Sequence, residues 1–174
     1  MSTRCGTIAL AGRPNAGKSS LLNAILGTRL ALVSPKAQAT RMPVTGIHTE
    51  GDVQFIFEDL PGLLDPAYAL QRSMRHLALA ALERADVILH LHPAPEAPAP
   101  SLAALLPDIE LPGAPVVTCY TKADLAPPES VRELAAGDVV VTSVSDPESI
   151  KRLLDRIAPL LPERPFRYDP DEIG

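Results

Sequence analysis

The chain has no tryptophan, and only three tyrosines and three phenylalanines among its 174 residues. Stacking platforms for single-stranded nucleic acid are therefore scarce. Positive charge is short as well: 16 Lys and Arg face 21 Asp and Glu, a formal net charge of −5. That balance argues against a nucleic-acid surface within this chain. The two cysteines, Cys5 and Cys119, stand far apart with no metal-ligand spacing around them. Both read as reduced thiols of a cytosolic protein. No apolar run approaches the length of a membrane span, and residues 1–6 lack the apolar stretch of a leader. Proline, by contrast, is plentiful at 19 residues, and the 46% hydrophobic content suffices for a normal core in one domain.

The most informative stretch is Gly12-Arg13-Pro14-Asn15-Ala16-Gly17-Lys18-Ser19, which fits the phosphate-loop pattern G-x-x-x-x-G-K-[ST]. Before it, residues 7–11 form an apolar strand candidate. After it, residues 20–26 carry apolar side chains at helical spacing, and Gly27 stands where a C-cap would fall. A strand, a glycine-bracketed turn and a helix start aim backbone N–H groups and the positive end of a helix dipole at one point, which suits polyphosphate. A chance match in a glycine-containing loop would not explain both flanks. Residues Gly12 to Ser19, with Ser20 beside them, are thus the candidate phosphate-binding set. Lys18 would reach the terminal phosphates and Ser19 would hold Mg²⁺.

Further along, residues 30–41 show no period and read as a long loop. Residues 44–49 and 53–58 read as a hairpin turned at Glu50-Gly51-Asp52. Residues 68–84 keep helical spacing, and 87–91 form a buried-strand run. His92 to Pro100 is a proline-rich surface connection, with a proline-motif ligand as the less favoured reading. His90 and His92 share a strand face, but no third metal ligand lies nearby. A short helix over 102–106, a strand over 114–120, a helix over 130–135 and a strand over 138–142 follow. Asp146 and Pro147 then open a closing helix as N-cap and first-turn proline, and Pro159 disturbs its end. Strands alternating with helices predict an α/β fold: a mostly parallel six-stranded sheet, one antiparallel strand, and helices on both faces.

Two more strand ends carry chemistry. Asp59-Leu60-Pro61-Gly62 fits D-x-x-G: the carboxylate can hold Mg²⁺ through water, and the Gly62 N–H can approach a γ-phosphate because no side chain intervenes. Thr121-Lys122-Ala123-Asp124 is close to [NT]-K-x-D. Guanine presents N1–H and N2–H₂ side by side, and one carboxylate accepts both. Adenine would leave Asp124 unpaired, a difference that can discriminate by about 10⁴–10⁵. The Lys122 stem can lie along the base plane. Backbone N–H groups of Ser143-Val144-Ser145 would meet guanine O6. A plain surface turn would also use Lys and Asp, but the three motifs together indicate a GTP site.

With these motifs in order, the chain resembles the TRAFAC-class translation-related GTPases, the Era type in particular, from Thr7 to about Tyr168. Besides the phosphate loop, the most specific stretches are Lys36-Ala37-Gln38-Ala39-Thr40-Arg41, Gly46-Ile47-His48-Thr49-Glu50-Gly51 and Leu161-Pro162-Glu163-Arg164-Pro165. The resemblance implies a P-loop NTPase G domain over 4–161 and a linker over 162–174. Thr40 would be the switch threonine that ligands Mg²⁺ and senses the γ-phosphate. Asn15 would help seat a K⁺ ion between the phosphates, unless it only braces the loop; both readings stay open. It further implies a bacterial cytoplasmic protein that assists small-subunit assembly, with peripheral membrane attachment left open. A C-terminal KH domain that binds rRNA belongs to the pattern. No helix- and strand-flanked G-x-x-G loop is legible here, so the chain reads as the G domain of a longer protein and is expected to bind no RNA specifically.

Departures from the pattern bear on rate and affinity. Ala39 and Leu60 stand where threonines are usual, and Val144, in place of alanine, could crowd the base. Thr121 replaces asparagine, which should weaken the brace between base and phosphate loop by about 1 kcal/mol. Lys18, Thr40 and Gly62 are the candidates for catalysis. No general base is evident, and Leu63 occupies a position where some GTPases carry a water-orienting glutamine. Hydrolysis by positioning and charge stabilisation should be slow, about 10⁻⁴ to 10⁻² s⁻¹. Two other readings are a nucleotide-binding scaffold that no longer hydrolyses and an ATP-dependent kinase or ATPase.

Overall fold

Residues 7–11 form the middle of β1 (Arg4–Gly12), buried on both faces. A central parallel strand requires such continuous apolarity, because helices cover the sheet on either side. The structure is a computed structural model in which residues 2–12, 17–26, 44–59, 79–105 and 113–168 are described. After β1 comes helix α1 (Lys18–Leu26), then the hairpin strands β2 (Val44–Glu50) and β3 (Val53–Asp59). Gly51 turns that hairpin at φ 59°, a left-handed conformation that glycine adopts without strain. Helix α2 is described over 79–84, so most of the stretch predicted from residue 68 lies outside the described residues. The predicted loop over 30–41 lies outside them too.

Strand β4 (Val87–Pro93) is buried along its whole length and leads to the short helix α3 (Leu102–Leu105). Strand β5 (Val116–Thr121), helix α4 (Pro128–Ala135), strand β6 (Val140–Val141) and helix α5 (Pro147–Ile157) complete the order. The sheet runs β2-β3-β1-β4-β5-β6, and β2 alone pairs antiparallel. This is the predicted α/β topology. Alternation along β1 sends Ile8 and Leu10 to α1 and α5, while Ala9 and Ala11 meet α2 and α3. The small alanines let the second pair of helices come close.

Several boundaries differ from the sequence expectation, each for a local reason. Helix α4 begins two residues early, because Pro128 fits the first helical turn, where no N–H is needed. Strand β6 is shorter than predicted: Asp138 turns outward into an ion pair with Arg156 of α5. Helix α5 is capped by Asp146, whose side chain accepts the Glu148 N–H. It ends at Ile157 and tightens into a 3₁₀ turn over Ala158–Leu160, where Pro159 supplies no donor.

Residues 162–168, expected as linker, are bound to the sheet. The Cys5 N–H donates to the Pro162 carbonyl, and the Arg164 N–H donates to the Thr3 carbonyl. Beyond them, Gln54 is fully buried on β3 and its amide is shared out completely. Its nitrogen donates to the Tyr168 carbonyl (2.8 Å) and to Thr49 (3.1 Å). Its oxygen accepts from the Arg167 and Tyr168 N–H groups at 3.0 and 3.1 Å. Phe166 and Tyr168 cover Cys5, Ile47 and Ile56. A buried amide must find partners, and this segment supplies them. Among the described residues no helix is long and apolar enough to cross a membrane.

Candidate nucleotide-binding site

The C-terminal ends of β1, β3, β5 and β6 converge on one edge of the sheet, where an open α/β sheet collects its ligand contacts. Strand β1 delivers Gly12 to that edge. Gly17 resumes the described chain at φ 85°, and its carbonyl accepts the Leu21 N–H as the first bond of α1. A side chain on Gly17 would be strained by that φ and would lie 3.5 Å from Thr121 Oγ1 and 3.6 Å from Lys122 Cε. Gly17 therefore lies close against the start of the loop after β5. Lys18, half-buried, opens α1, and Asp59 closes β3 opposite Leu10 of β1.

On the other side, β5 ends at the buried Thr121, and Lys122 takes the left-handed conformation at φ 57°, ψ 39°. That geometry costs a non-glycine residue about 1 kcal/mol or more, and such strain collects at functional sites. The loop is tied to β6 by the Ala123 N–H on the Thr142 carbonyl (3.1 Å) and the Thr142 N–H on the Tyr120 carbonyl (2.8 Å). Asp124 then meets Ser143: the serine hydroxyl donates to Asp124 Oδ1 at 2.9 Å. Ser145 approaches the same hydroxyl at 2.7 Å. Ser143 spends its only hydrogen on the carboxylate, so Ser145 must donate to Ser143.

These loops border a cavity of about 220 Å³ lined by Gly17, Leu21, Thr121, Lys122, Asp124 and Val144 among others. Leu125 and Val144 are 67% and 54% exposed, apolar surfaces at its mouth suited to a flat ring. The Ser143 N–H is taken by Ser149 Oγ (3.0 Å) and the Ser145 N–H by Ser143 Oγ (3.3 Å). The Val144 N–H has no partner among the described residues. A planar base with adjacent donors and a nearby carbonyl would find an acceptor, a donor and apolar faces here.

The profile of the family described as 50S ribosome-binding GTPase matches residues 7–122. The chain belongs to that family. The chain is 37% identical over 181 residues to GTPase Era of Caldanaerobacter subterraneus subsp. tengcongensis, across 99% of its own length and 61% of the relative's. GTPase Era of Thermosipho melanesiensis is 37% identical over 179 residues, covering 98% and 60%. Among solved structures, a variant of Aquifex aeolicus Era bound to GDP and AlF₄⁻ superposes with a TM-score of 0.74 at 32% identity, over 96% of this chain and 60% of that one. Era in complex with MgGDPNP and nucleotides 1506–1542 of 16S ribosomal RNA gives 0.76 at 33%, over 97% and 61%. The chain thus spans about three fifths of the length of these relatives.

Of the candidate site residues read from sequence, Gly12, Gly17, Lys18, Ser20, Thr121, Lys122, Asp124, Ser143, Val144 and Ser145 are placed at this edge. Arg13, Pro14, Asn15, Ala16, Thr40, Leu60, Pro61 and Gly62 lie outside the described residues, as do the side chains of Ser19 and Asp59.

Two residues beside this edge gave no sequence signal of their placement. Ser149, in the first turn of α5, bonds back to residue 143; its one visible mark is that a polar residue adjoins the apolar stripe 150, 153, 154, 157. Glu58, immediately before Asp59, is buried, and Arg84 of α2 lies 3.7 Å away. Burial pushes the Glu58 carboxyl up, against the opposing pull of Arg84 and Arg167. Its Oε2 has no hydrogen-bond partner among the described residues. Among the described residues no group of three metal-ligating side chains forms, and the His90 and His92 rings sit 6.5 Å apart.

Proposed function

We propose that this domain binds GTP and GDP with Mg²⁺ and hydrolyses GTP to GDP and phosphate. The observation that carries the reading is the Ser143–Asp124 hydrogen bond beside a cavity that also touches Gly17. It orients one carboxylate toward the space next to the phosphate loop, where guanine N1–H and N2–H₂ would meet it. The Val144 N–H, without a partner among the described residues, would take O6, and the Lys122 stem would flank the ring.

At the phosphate end, Lys18 would hold the terminal phosphates and the Gly62 N–H the γ-phosphate. Ser19 stands in the first turn of α1 and Asp59 ends β3 opposite Leu10 of β1, which supports the reading. These hydroxyl and carboxylate oxygens fit a hard divalent cation. With Thr40 they would hold Mg²⁺, which supplies charge stabilisation to the phosphate oxygens during transfer. Titration should give tight GDP binding and none with ADP, and single-turnover assays should release phosphate slowly from GTP. Equal binding of ADP would overturn the base reading. GDP binding without phosphate release would leave a switchless scaffold.

The reading extends to a monovalent ion. Asn15 would offer a side-chain carbonyl toward the β- and γ-phosphates, seating K⁺ in an oxygen cage too large for Na⁺. Hydrolysis should then run faster in KCl than in NaCl at equal ionic strength, and Asn15→Ala should abolish the difference. Equal rates in the two salts would leave Asn15 a brace of the loop.

For a protein of the relatives' length, we extend the proposal to cytoplasmic assembly of the small ribosomal subunit, with any membrane contact peripheral. The 174 residues here, acidic and poor in aromatics, should not bind a small-subunit rRNA 3′-end oligonucleotide specifically at physiological salt. Submicromolar binding in a filter or fluorescence assay would reveal an RNA surface on the G domain.

A further inference from the structure

Ser149 lies outside every motif that names the nucleotide, yet its side chain is only 2% exposed and fully engaged. Its oxygen accepts the Ser143 N–H at 3.0 Å. Its hydrogen goes back to the Asp146 carbonyl at 2.7 Å, with the Ser143 carbonyl next at 3.1 Å. The Asp146 N–H closes the ring onto the Ser143 carbonyl at 3.0 Å. Helix capping does not account for this hydroxyl. Asp146 already caps α5 through the Glu148 N–H, whereas the Ser149 hydroxyl reaches out of the helix to a residue before it.

What it holds is the backbone of the residue that aims at the base-reading carboxylate. We propose that Ser149 is a positioning residue for base discrimination. By fixing the Ser143 main chain it directs the Ser143 hydroxyl onto Asp124 Oδ1, and so sets the plane in which the carboxylate meets the two guanine donors. Holding the Ser143 N–H also keeps that donor away from the cavity and leaves O6 to the Val144 N–H. The inference rests on the guanine reading above and adds to it the residue that tunes its selectivity.

The test uses the whole chain and two probes, GDP and IDP. Hypoxanthine keeps O6 and N1–H and lacks the 2-amino group, so the ratio of the two affinities reads the second arm of the Asp124 fork. In Ser149→Ala the GDP preference should fall about fivefold, the size of one weakened charge-assisted hydrogen bond. IDP affinity should change less than about twofold. Ser143→Ala should lose the same preference, and the double variant should lose no more than Ser143→Ala alone, because Ser149 acts through Ser143. Ser149→Cys keeps the size of the side chain and weakens its hydrogen bonds, and gives a milder step in the same direction should the alanine variant not fold. Equal losses for GDP and IDP, an unmoved ratio in Ser149→Cys, or additive losses in the double variant would overturn the proposal. An unsubstituted chain that binds GDP and IDP alike would count against the guanine reading itself, and this inference would fall with it.

Discussion

Asp124 shows how little a single residue has to do when its neighbours have already aimed it. Ser143 holds one oxygen of the carboxylate at 2.9 Å, and the turn that presents it is anchored by Lys122 in a left-handed conformation. Asp124→Asn replaces an acceptor with a donor opposite the guanine 2-amino group. GDP affinity should fall at least about tenfold, while xanthine nucleotides, which carry an acceptor there, should gain; isothermal titration of both would check it. The role proposed for Asp124 could be read from sequence, because reading guanine would demand a carboxylate and four contiguous residues supply one. Ser149 was not legible. A hydroxyl on a helix bordering an apolar stripe has many uses, and only the fold brings it back to the main chain of residue 143.

Strand β4 poses the corresponding question for a whole element. Its apolar run was evident, as was the sharing of a face by His90 and His92, but not how deeply the two rings would sink. Both are buried on the face that Ile88 presents to α2 and α3. Burial, helped by the neighbouring His92, pushes His90 down to about 4. An unfolded chain takes up that proton near pH 6.5, so between about pH 6.5 and 4 the unfolded state binds more protons than the folded one. The stabilising effect of a neutral His90 is complete above that window and is lost as pH falls through it, by roughly 3 kcal/mol at the limit. Thermal melting followed from pH 7 to pH 4 should show a falling midpoint, with a visibly smaller fall in His90→Leu. Parallel curves for the two proteins would place the acid sensitivity elsewhere. Element types were readable because apolar period separates strand from helix. Their ends were less so, since Asp138, Pro128 and Pro159 set them through contacts or missing donors rather than through period.

For the molecule as a whole, the segment over 162–168 packs against the sheet, and Gln54 supplies several of its hydrogen bonds. Gln54→Leu would leave the Tyr168 carbonyl and the Arg167 N–H without their partner and should cost roughly 2–3 kcal/mol, the sum of several modest hydrogen bonds. Chemical denaturation would measure it, and a change within error would mean the segment is held by the aromatic cover of Phe166 and Tyr168 and by the backbone bonds at Cys5 and Thr3. Sequence could not reveal this contact, because its two sides stand 114 positions apart and a glutamine in a strand carries no mark of burial. One consequence concerns how such a protein is made. Thr3 and Arg164, bonded side by side, are separated by 161 positions. A growing chain completes the β2–β3 hairpin early, but the polypeptide that covers its outer surface emerges long afterwards. Until residues 162–168 leave the ribosome, Gln54, Ile47 and Ile56 stay open to water and to other nascent chains. Final closure is then a late, long-range event in synthesis, not something the N-terminal half can reach by itself.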